Sequence, residues 1–176
     1  MRQEKVLATV VIIIFSMICL GIIFTQNLFS DTKPFELRVN VGGDQITDSQ
    51  GREWLKDHIY RSGYGYLGIS GTYSTRELIS GTSVATIYQS ERYKLFGYRV
   101  DVPNGHYEII LHFAEIYHDR KNKRIMEIKI EDVMVEENLD IYDRVGKNAA
   151  LALVYNTRDL GKPITDKCID IEITNK

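Results

Sequence analysis

Apolar and polar residues alternate one by one in several short segments, and this period of two constrains the fold more than any other feature. The pattern recurs in the segments 98–102, 107–114, 126–131 and 168–173. Successive side chains of a β-strand point to opposite faces, so a period of two predicts strands with one buried face. The segment 107–114 would place on one face Tyr107, Ile109, Leu111 and Phe113, and on the other Glu108, Ile110, His112 and Ala114.

The segments between these strands carry turn residues, as in PNGH at 103–106, and no long stretch has the period of an amphipathic helix. Short strands joined by such turns are typical of an all-β fold, an antiparallel jelly-roll-like β-sandwich. The span 49–84 differs, with six glycines, four tyrosines and little periodicity. It predicts long ordered loops at one end of the sandwich, where binding residues tend to lie.

The N-terminal segment predicts a membrane anchor or a signal peptide. Residues 6–24 are nineteen residues without a charge, long enough for a transmembrane helix, and Arg2 and Lys5 precede them. We expect a short cytoplasmic stub and an uncleaved signal anchor within residues 1–30, and a translocated domain over residues 31–176. A cleaved signal peptide is the alternative, although its apolar region is usually shorter.

Charge and cysteine content limit the partners of the domain. Residues 31–176 contain 20 Lys and Arg against 23 Asp and Glu, which argues against a nucleic-acid partner. Cys168 is the single cysteine of this span, so an internal disulfide is excluded there. Its place in an alternating segment predicts a half-buried strand thiol, and an intermolecular bridge stays open.

The sequence contains no clear sign of an enzyme. The histidines at 58, 106, 112 and 118 have no metal-ligand spacing, and no G-x-S-x-G motif occurs. A carboxylate pair for glycoside hydrolysis would have to come from Asp44 and Asp48 or from Asp140 and Asp143. Aspartates in turns are far commoner than catalytic pairs. We therefore expect no catalytic residue, no metal and no cofactor.

Tyrosine is the dominant aromatic residue, with 11 tyrosines against six phenylalanines and one tryptophan. A tyrosine combines a flat apolar ring with a hydroxyl that needs a polar partner. A sugar ring requires both, a surface to stack on and groups for its hydroxyls. About half of these tyrosines are expected to be structural, because tyrosine is also a favoured strand residue.

Glu115 falls on the apolar face of its strand and therefore needs a partner. We predict that Arg92 or another cation supplies it and so fixes the loop with Tyr93 against the strand end with Tyr117. The alternative is a Glu115 side chain that extends past the sheet edge into water.

Five motifs together resemble the malectin domain in order and spacing: NVGGD at 40–44, IYQSERY at 87–93, VPNGHY at 102–107, LHFAEIY at 111–117 and LDIYDRVG at 139–146. The resemblance covers about residues 35–174. It implies a jelly-roll-like β-sandwich that binds carbohydrate without catalysis. It also implies a glucose-containing oligosaccharide, such as a glucosylated N-glycan of the endoplasmic reticulum, as the ligand.

The resemblance further implies the residues of a ligand pocket built from aromatic side chains of loops. These are Tyr93, Tyr117 and an earlier tyrosine, Tyr73, for which Tyr66 and Tyr64 are the alternatives, with His118 where the family has a phenylalanine. The family also uses an aspartate in a loop before its final strand. The chain stops at or near that loop, so we expect a domain without its final loop and strand and assign the aspartate no counterpart.

The expected partners are an oligosaccharide or a glycoprotein glycan, the membrane through the N-terminal helix, and a membrane protein of the secretory pathway. The domain would lie on the lumenal or extracytoplasmic side, most consistently in the endoplasmic reticulum. The alternative function is a protein-interaction or receptor ectodomain that has lost sugar binding, since His118 removes a stacking face.

Overall fold

The computed structural model describes residues 34–176. The predicted stub, the apolar segment 6–24 and the predicted boundary at residue 31 lie outside these residues. Within them, no helix has the length and apolar character needed to span a membrane.

Strands make up most of the regular structure. They are β1 (Val39–Asn40), β2 (Ile46–Thr47), β3 (Glu53–Lys56), β4 (Tyr64–Leu67), β5 (Gly71–Ser74), β6 (Ser90–Tyr93), β7 (Gly97–Asp101), β8 (Glu108–Phe113), β9 (Met126–Ile130), β10 (Val133–Leu139), β11 (Leu151–Asn156) and β12 (Cys168–Asn175). The helical elements of the described chain are a 3₁₀ turn at Ala85–Tyr88 and the five-residue helix α1 at Ile141–Val145.

The strands form one five-stranded sheet and three smaller ones. The large sheet has the order β10-β9-β12-β7-β4, and all its pairs are antiparallel. The pairs of β8 with β11 and of β5 with β6 are also antiparallel. The prediction of an all-β, mainly antiparallel fold is confirmed. One exception is the parallel pair of β1 with β3. The jelly-roll connectivity stays a prediction.

The main core lies between the five-stranded sheet and the β8–β11 pair, as expected of a β-sandwich. Strand β9 alternates buried and half-buried residues, and Ile128 and Ile130 are fully buried. The odd-numbered residues of β8 pack into the same cluster, as the period of two predicted. Each fully buried isoleucine contributes about 1.5–3 kcal/mol through the hydrophobic effect.

Cys168 begins strand β12 and is half-buried, so the prediction of a half-buried strand thiol is confirmed. Burial and the nearby carboxylate of Asp170 raise the pKa of the Cys168 thiol to about 11. The thiol is therefore protonated at neutral pH and a weak nucleophile.

A second apolar cluster lies against the other face of β8. It contains Trp54, Ile79, Ile87, Tyr88 and Ile116. His112 projects from this face of β8, where its Nδ1 lies 2.7 Å from the Tyr88 hydroxyl and its ring meets the edge of Trp54. This cluster holds the chain segment that follows β8, and the segment carries two of the predicted site residues.

The environment of His112 predicts a pH-dependent stability. Burial and the positive charge of Arg52 lower the pKa of His112 below its usual 6.5. The stabilisation is complete above about pH 6.5, where His112 is neutral in both states, and is lost as pH falls through the folded-state pKa. We expect the melting temperature to fall more steeply between pH 7 and 5 in the wild type than in His112→Gln. The exposed His106→Gln serves as the control and should retain the wild-type slope; equal slopes in all three proteins would contradict the prediction.

Candidate functional site

Tyr73 and Tyr93 lie on one face of the β5–β6 hairpin. The register pairs Gly71 with Tyr93 and Tyr73 with Glu91, so the four side-chain positions share that face. The tyrosines keep 38% and 40% of their surface exposed. Large aromatic side chains left open to solvent on a paired strand are available for a ligand.

Gly71 allows the Tyr93 ring to lie directly across the neighbouring strand. A methyl group at position 71 would overlap the ring and hydroxyl of Tyr93. The absence of a side chain at Gly71 therefore determines where the Tyr93 ring rests.

Gly71→Ala is expected to displace the Tyr93 ring and weaken any ligand that stacks on it. The ring is exposed and can swing outward, so the melting temperature should change little. We expect a change in the Tyr93 ring resonances by NMR, with Ser74→Ala in the same strand as the control. An unchanged Tyr93 spectrum in Gly71→Ala would show that the glycine is dispensable for the ring position.

Tyr117 meets the hairpin from the segment that follows β8. Its ring contacts Tyr73 edge to face at 5.2 Å between centroids and His118 at 5.0 Å. Tyr117 is 59% exposed. The structure thus brings together Tyr73, Tyr117 and His118, with Tyr93 on the same hairpin face as Tyr73.

The two alternative tyrosines lie elsewhere. The Arg92 guanidinium covers the Tyr66 ring at 3.7 Å from its centroid, and Arg92 points to the hairpin face opposite Tyr93 because the two are sequence neighbours in a strand. The Tyr64 ring packs against His58, and its hydroxyl donates to the Lys56 carbonyl. Tyr73, rather than Tyr66 or Tyr64, contacts Tyr117. A ligand contact at Tyr66 stays a prediction.

Asp57 binds the β5–β6 hairpin on the face opposite Tyr73 and Tyr93. Its buried carboxylate accepts hydrogen bonds from the Arg92 side chain, the Gly42 backbone N–H at 2.8 Å and the Tyr98 hydroxyl at 3.1 Å. Burial and the charge of Asp57 raise the pKa of Tyr98 far above its usual value. Gly42 has a φ of 79°, and a side chain there would strike the backbone of Glu91. The NVGGD motif at 40–44 thus packs directly against the backbone of β6.

Glu115 is buried, with 1% exposure, and its partners correct the prediction about Arg92. Oε1 accepts hydrogen bonds from the backbone N–H groups of Tyr117 at 2.9 Å and His118 at 2.8 Å. Oε2 lies 3.5 Å from Nε of Arg124. Arg92 is the wrong cation because it is committed to Asp57 on the other hairpin face. The expectation that another cation serves Glu115 is met by Arg124.

Arg124 also forms a bidentate ion pair with Glu91 of strand β6. Its two terminal nitrogens lie 2.6 and 2.9 Å from the carboxylate oxygens. Burial lowers the pKa of Arg124, but the hydrogen bonds to Glu91 and the charges of Glu91 and Glu115 outweigh it, so the pKa is raised. The guanidinium stays charged at every relevant pH.

Sequence reasoning missed Glu91, Arg124 and Gly71. Arg124 follows the charged run DRKNK, which is typical of a solvated loop, so no local signal marks it. Gly71 lies in a glycine-rich span where any glycine could serve a turn. Their roles come from contacts across more than twenty residues of chain.

The aspartates considered for hydrolysis have structural partners instead. Asp48 accepts hydrogen bonds from Trp54 and Arg52, and Asp44 pairs with Lys56 at the surface. Asp140 is the N-cap of helix α1, where it accepts from the Asp143 N–H. Among residues 34–176, no group of three acidic, His or Cys side chains could hold a metal ion.

A shallow groove of about 520 Å³ has a lining that includes none of Tyr73, Tyr93, Tyr117 and His118. It is lined by Lys94, Leu95, Phe96, Glu172, Ile173, Thr174 and Asn175. Phe96 is the one aromatic residue of this lining, whereas the ring of Tyr117 is in contact with the rings of both Tyr73 and His118. Sugar stacking requires flat rings more than depth, so the surface formed by Tyr73, Tyr93, Tyr117 and His118 is the stronger candidate.

The sequence profile of the malectin domain matches residues 35–175. This chain belongs to the malectin domain family. Malectin from Danio rerio is 33% identical over 117 residues, which are 64% of this chain and 40% of the relative. Malectin from Homo sapiens is 32% identical over the same length, 39% of that protein. The matched part thus spans about two fifths of each relative.

Solved structures share the fold of this malectin domain. A Bacteroides uniformis beta-glucuronidase matches with a TM-score of 0.71 and 31% identity, over 80% of this chain but only 16% of the enzyme. The ANXUR2 extracellular domain of Arabidopsis thaliana matches with a TM-score of 0.64 and 22% identity, over 79% of this chain and 43% of that one. The second likeness shows the fold alone.

Proposed function

We propose that this malectin domain binds carbohydrate without catalysis through one surface, the tyrosine face, formed by Tyr73, Tyr93, Tyr117 and His118. The observation that carries the proposal is the contact between the exposed rings of Tyr73 and Tyr117, with a third exposed tyrosine, Tyr93, on the same strand face as Tyr73. Family membership, with relatives named malectin, supports the same reading.

The chemistry of the tyrosine face suits a neutral sugar. Tyrosine rings offer flat apolar surfaces for the C–H faces of a pyranose, and their hydroxyls can exchange hydrogen bonds with its hydroxyls. Tyr117 and Tyr73 meet at nearly a right angle, 87°, so a ligand would contact a corner of two rings rather than one flat wall. His118 adds a ring and a nitrogen where the family has a phenylalanine.

The proposed ligand is a glucose-containing oligosaccharide such as a glucosylated N-glycan, with an α-linked glucose disaccharide as the minimal form. Each sugar hydroxyl exchanges bonds to water for bonds to protein at small net gain. We expect a dissociation constant in the micromolar to millimolar range, about −4 to −8 kcal/mol.

The proposed location follows from the apolar segment 6–24. An uncleaved signal anchor would hold the domain on the lumenal side of the endoplasmic reticulum membrane, where glucosylated N-glycans occur. A membrane protein of the secretory pathway is the proposed further partner.

A second candidate is a protein-interaction domain that keeps the malectin fold without sugar binding. The observation in its favour is the openness of the tyrosine face, together with His118 in place of a phenylalanine. Three exposed tyrosines could equally pack against a protein, because tyrosine is enriched at protein interfaces.

Calorimetric titration of the full-length protein tests the choice. We expect heat with nigerose and maltose, both α-linked, and much less with β-linked cellobiose. The detergent must lack a sugar headgroup, because a maltoside would itself compete for the site. No heat with either α-linked disaccharide would refute the sugar proposal and leave the protein-interaction candidate.

A further inference from the structure

Two separate parts of the chain supply the tyrosine face. Tyr73 and Tyr93 belong to the β5–β6 hairpin, whereas Tyr117 and His118 follow β8. The rings of Tyr73 and Tyr117 touch, but exposed rings alone cannot hold two chain segments in register. The second apolar cluster packs the chain between β5 and β6 against the segment after β8, and a further connection joins the two parts next to the rings themselves.

That connection is a chain of three charged side chains, the clamp, formed by Glu91, Arg124 and Glu115. Glu91 lies directly opposite Tyr73 in the hairpin and two residues from Tyr93. Arg124 joins it at 2.6 and 2.9 Å and reaches Glu115 at 3.5 Å. Glu115 in turn binds the backbone N–H groups of residues 117 and 118. The clamp thus runs from one half of the tyrosine face to the other.

The three side chains of the clamp are largely buried, so their ion pairs require a defined geometry. The side chains of Glu91, Arg124 and Glu115 keep only 13%, 19% and 2% of their surface exposed. Ion pairs that are this little solvated are weakly screened and depend strongly on geometry. A guanidinium can hold one carboxylate with two nitrogens and turn its Nε to a second, which a lysine ammonium cannot do with the same reach.

We propose that Arg124 is a positioning residue of the tyrosine face, which it holds at the spacing needed by a sugar of two rings. The inference rests on the proposed carbohydrate function. A single pyranose can stack on one segment, whereas a disaccharide gains from both only if Tyr117 and the hairpin tyrosines keep a fixed separation. Arg124 therefore controls the preference for a disaccharide over a monosaccharide.

The first experiment titrates the full-length protein with maltose and with methyl α-glucoside. In Arg124→Lys we expect maltose affinity to fall about tenfold and methyl α-glucoside affinity at most about threefold. Glu91→Gln should act in the same direction and serves if Arg124→Lys does not fold. A merely structural role would lower both affinities equally, through a smaller folded fraction. Equal losses, or none, would overturn the proposal.

Arg99→Lys is the matched control. Arg99 also forms a bidentate ion pair, with two of its nitrogens 2.6 and 2.7 Å from the carboxylate oxygens of Asp170. This pair joins β7 to β12 rather than the two parts of the tyrosine face. We expect the maltose-to-glucoside ratio of this variant to equal that of the wild type.

The second experiment needs no sugar. The wild type should show a nuclear Overhauser effect between the rings of Tyr73 and Tyr117, lost in Arg124→Lys and kept in Arg99→Lys. Its persistence in Arg124→Lys would overturn the positioning role whatever the titrations show. If the wild type binds no sugar, the proposed function fails, and the ring contact still decides whether Arg124 holds the two segments together.

Discussion

Tyr117→Ala is expected to weaken binding of an α-linked glucose disaccharide by about 30-fold, close to 2 kcal/mol. Tyr117 stands at the corner of the tyrosine face, in ring contact with both Tyr73 and His118. Its removal deletes one stacking surface and leaves the Tyr73 ring without its neighbour. The side chain is 59% exposed, so the free energy of unfolding should hardly change. Calorimetry for affinity and thermal unfolding for stability separate the two effects.

Phe96→Ala is the control for this prediction. Phe96 is also an exposed aromatic residue, at 71%, but it lines the groove, whose lining includes no residue of the tyrosine face. We expect its loss to leave sugar affinity unchanged. If Phe96→Ala abolished binding while Tyr117→Ala did not, the ligand would lie in the groove and the tyrosine face would be excluded.

Asp57→Asn is expected to lower the free energy of unfolding by about 3–5 kcal/mol, the typical cost of breaking a buried ion pair from one side. The side chain of Asp57 is 1% exposed, and that of Arg92 is 10% exposed. Asparagine would leave the Arg92 charge uncompensated. Its amide oxygen could still accept from the Gly42 N–H and Arg92 while its NH2 group donates to the Tyr98 hydroxyl, so the lost charge accounts for most of the cost. Urea denaturation measures the loss.

Asp44→Asn provides the comparison for Asp57. Asp44 also pairs with a cation, Lys56, but their side chains are 83% and 66% exposed. Solvent-exposed pairs contribute little to stability, so we expect no measurable change. Similar denaturation midpoints for Asp57→Asn, Asp44→Asn and the wild type would show that the Asp57 network does not stabilise the hairpin.

The periodicity of the sequence predicted much of the sandwich correctly. The period of two assigned both faces of β8, and Tyr98 is buried at 8% as its alternation with valines predicted. Glu115 stood out because a carboxylate on an apolar face requires a partner, and the structure supplies one. These inferences succeeded because the side-chain direction in a strand depends only on adjacent residues.

The candidate site was less accessible to sequence reasoning. The family resemblance selected Tyr93 and Tyr117 by motif, but only the structure shows that Tyr73, rather than Tyr66 or Tyr64, contacts Tyr117. Arg92 was the wrong partner for Glu115 because strand pleating turns it away from Tyr93 and onto Tyr66. A shift of one residue along a strand moves a side chain to the other face of the sheet. The sequence does not reveal how two strands of only four residues pair.

The sequence by itself determined the all-β class, the faces of the regular strands and membership in the malectin domain family, because these depend on local periodicity and on ordered motifs. Only the tertiary structure decided which tyrosines meet and which cation joins them. Arg124 and Glu91 are 33 residues apart, and Tyr73 lies in β5 whereas Tyr117 lies in the segment that follows β8. Such contacts form only when the chain folds back on itself, so no local pattern carries them.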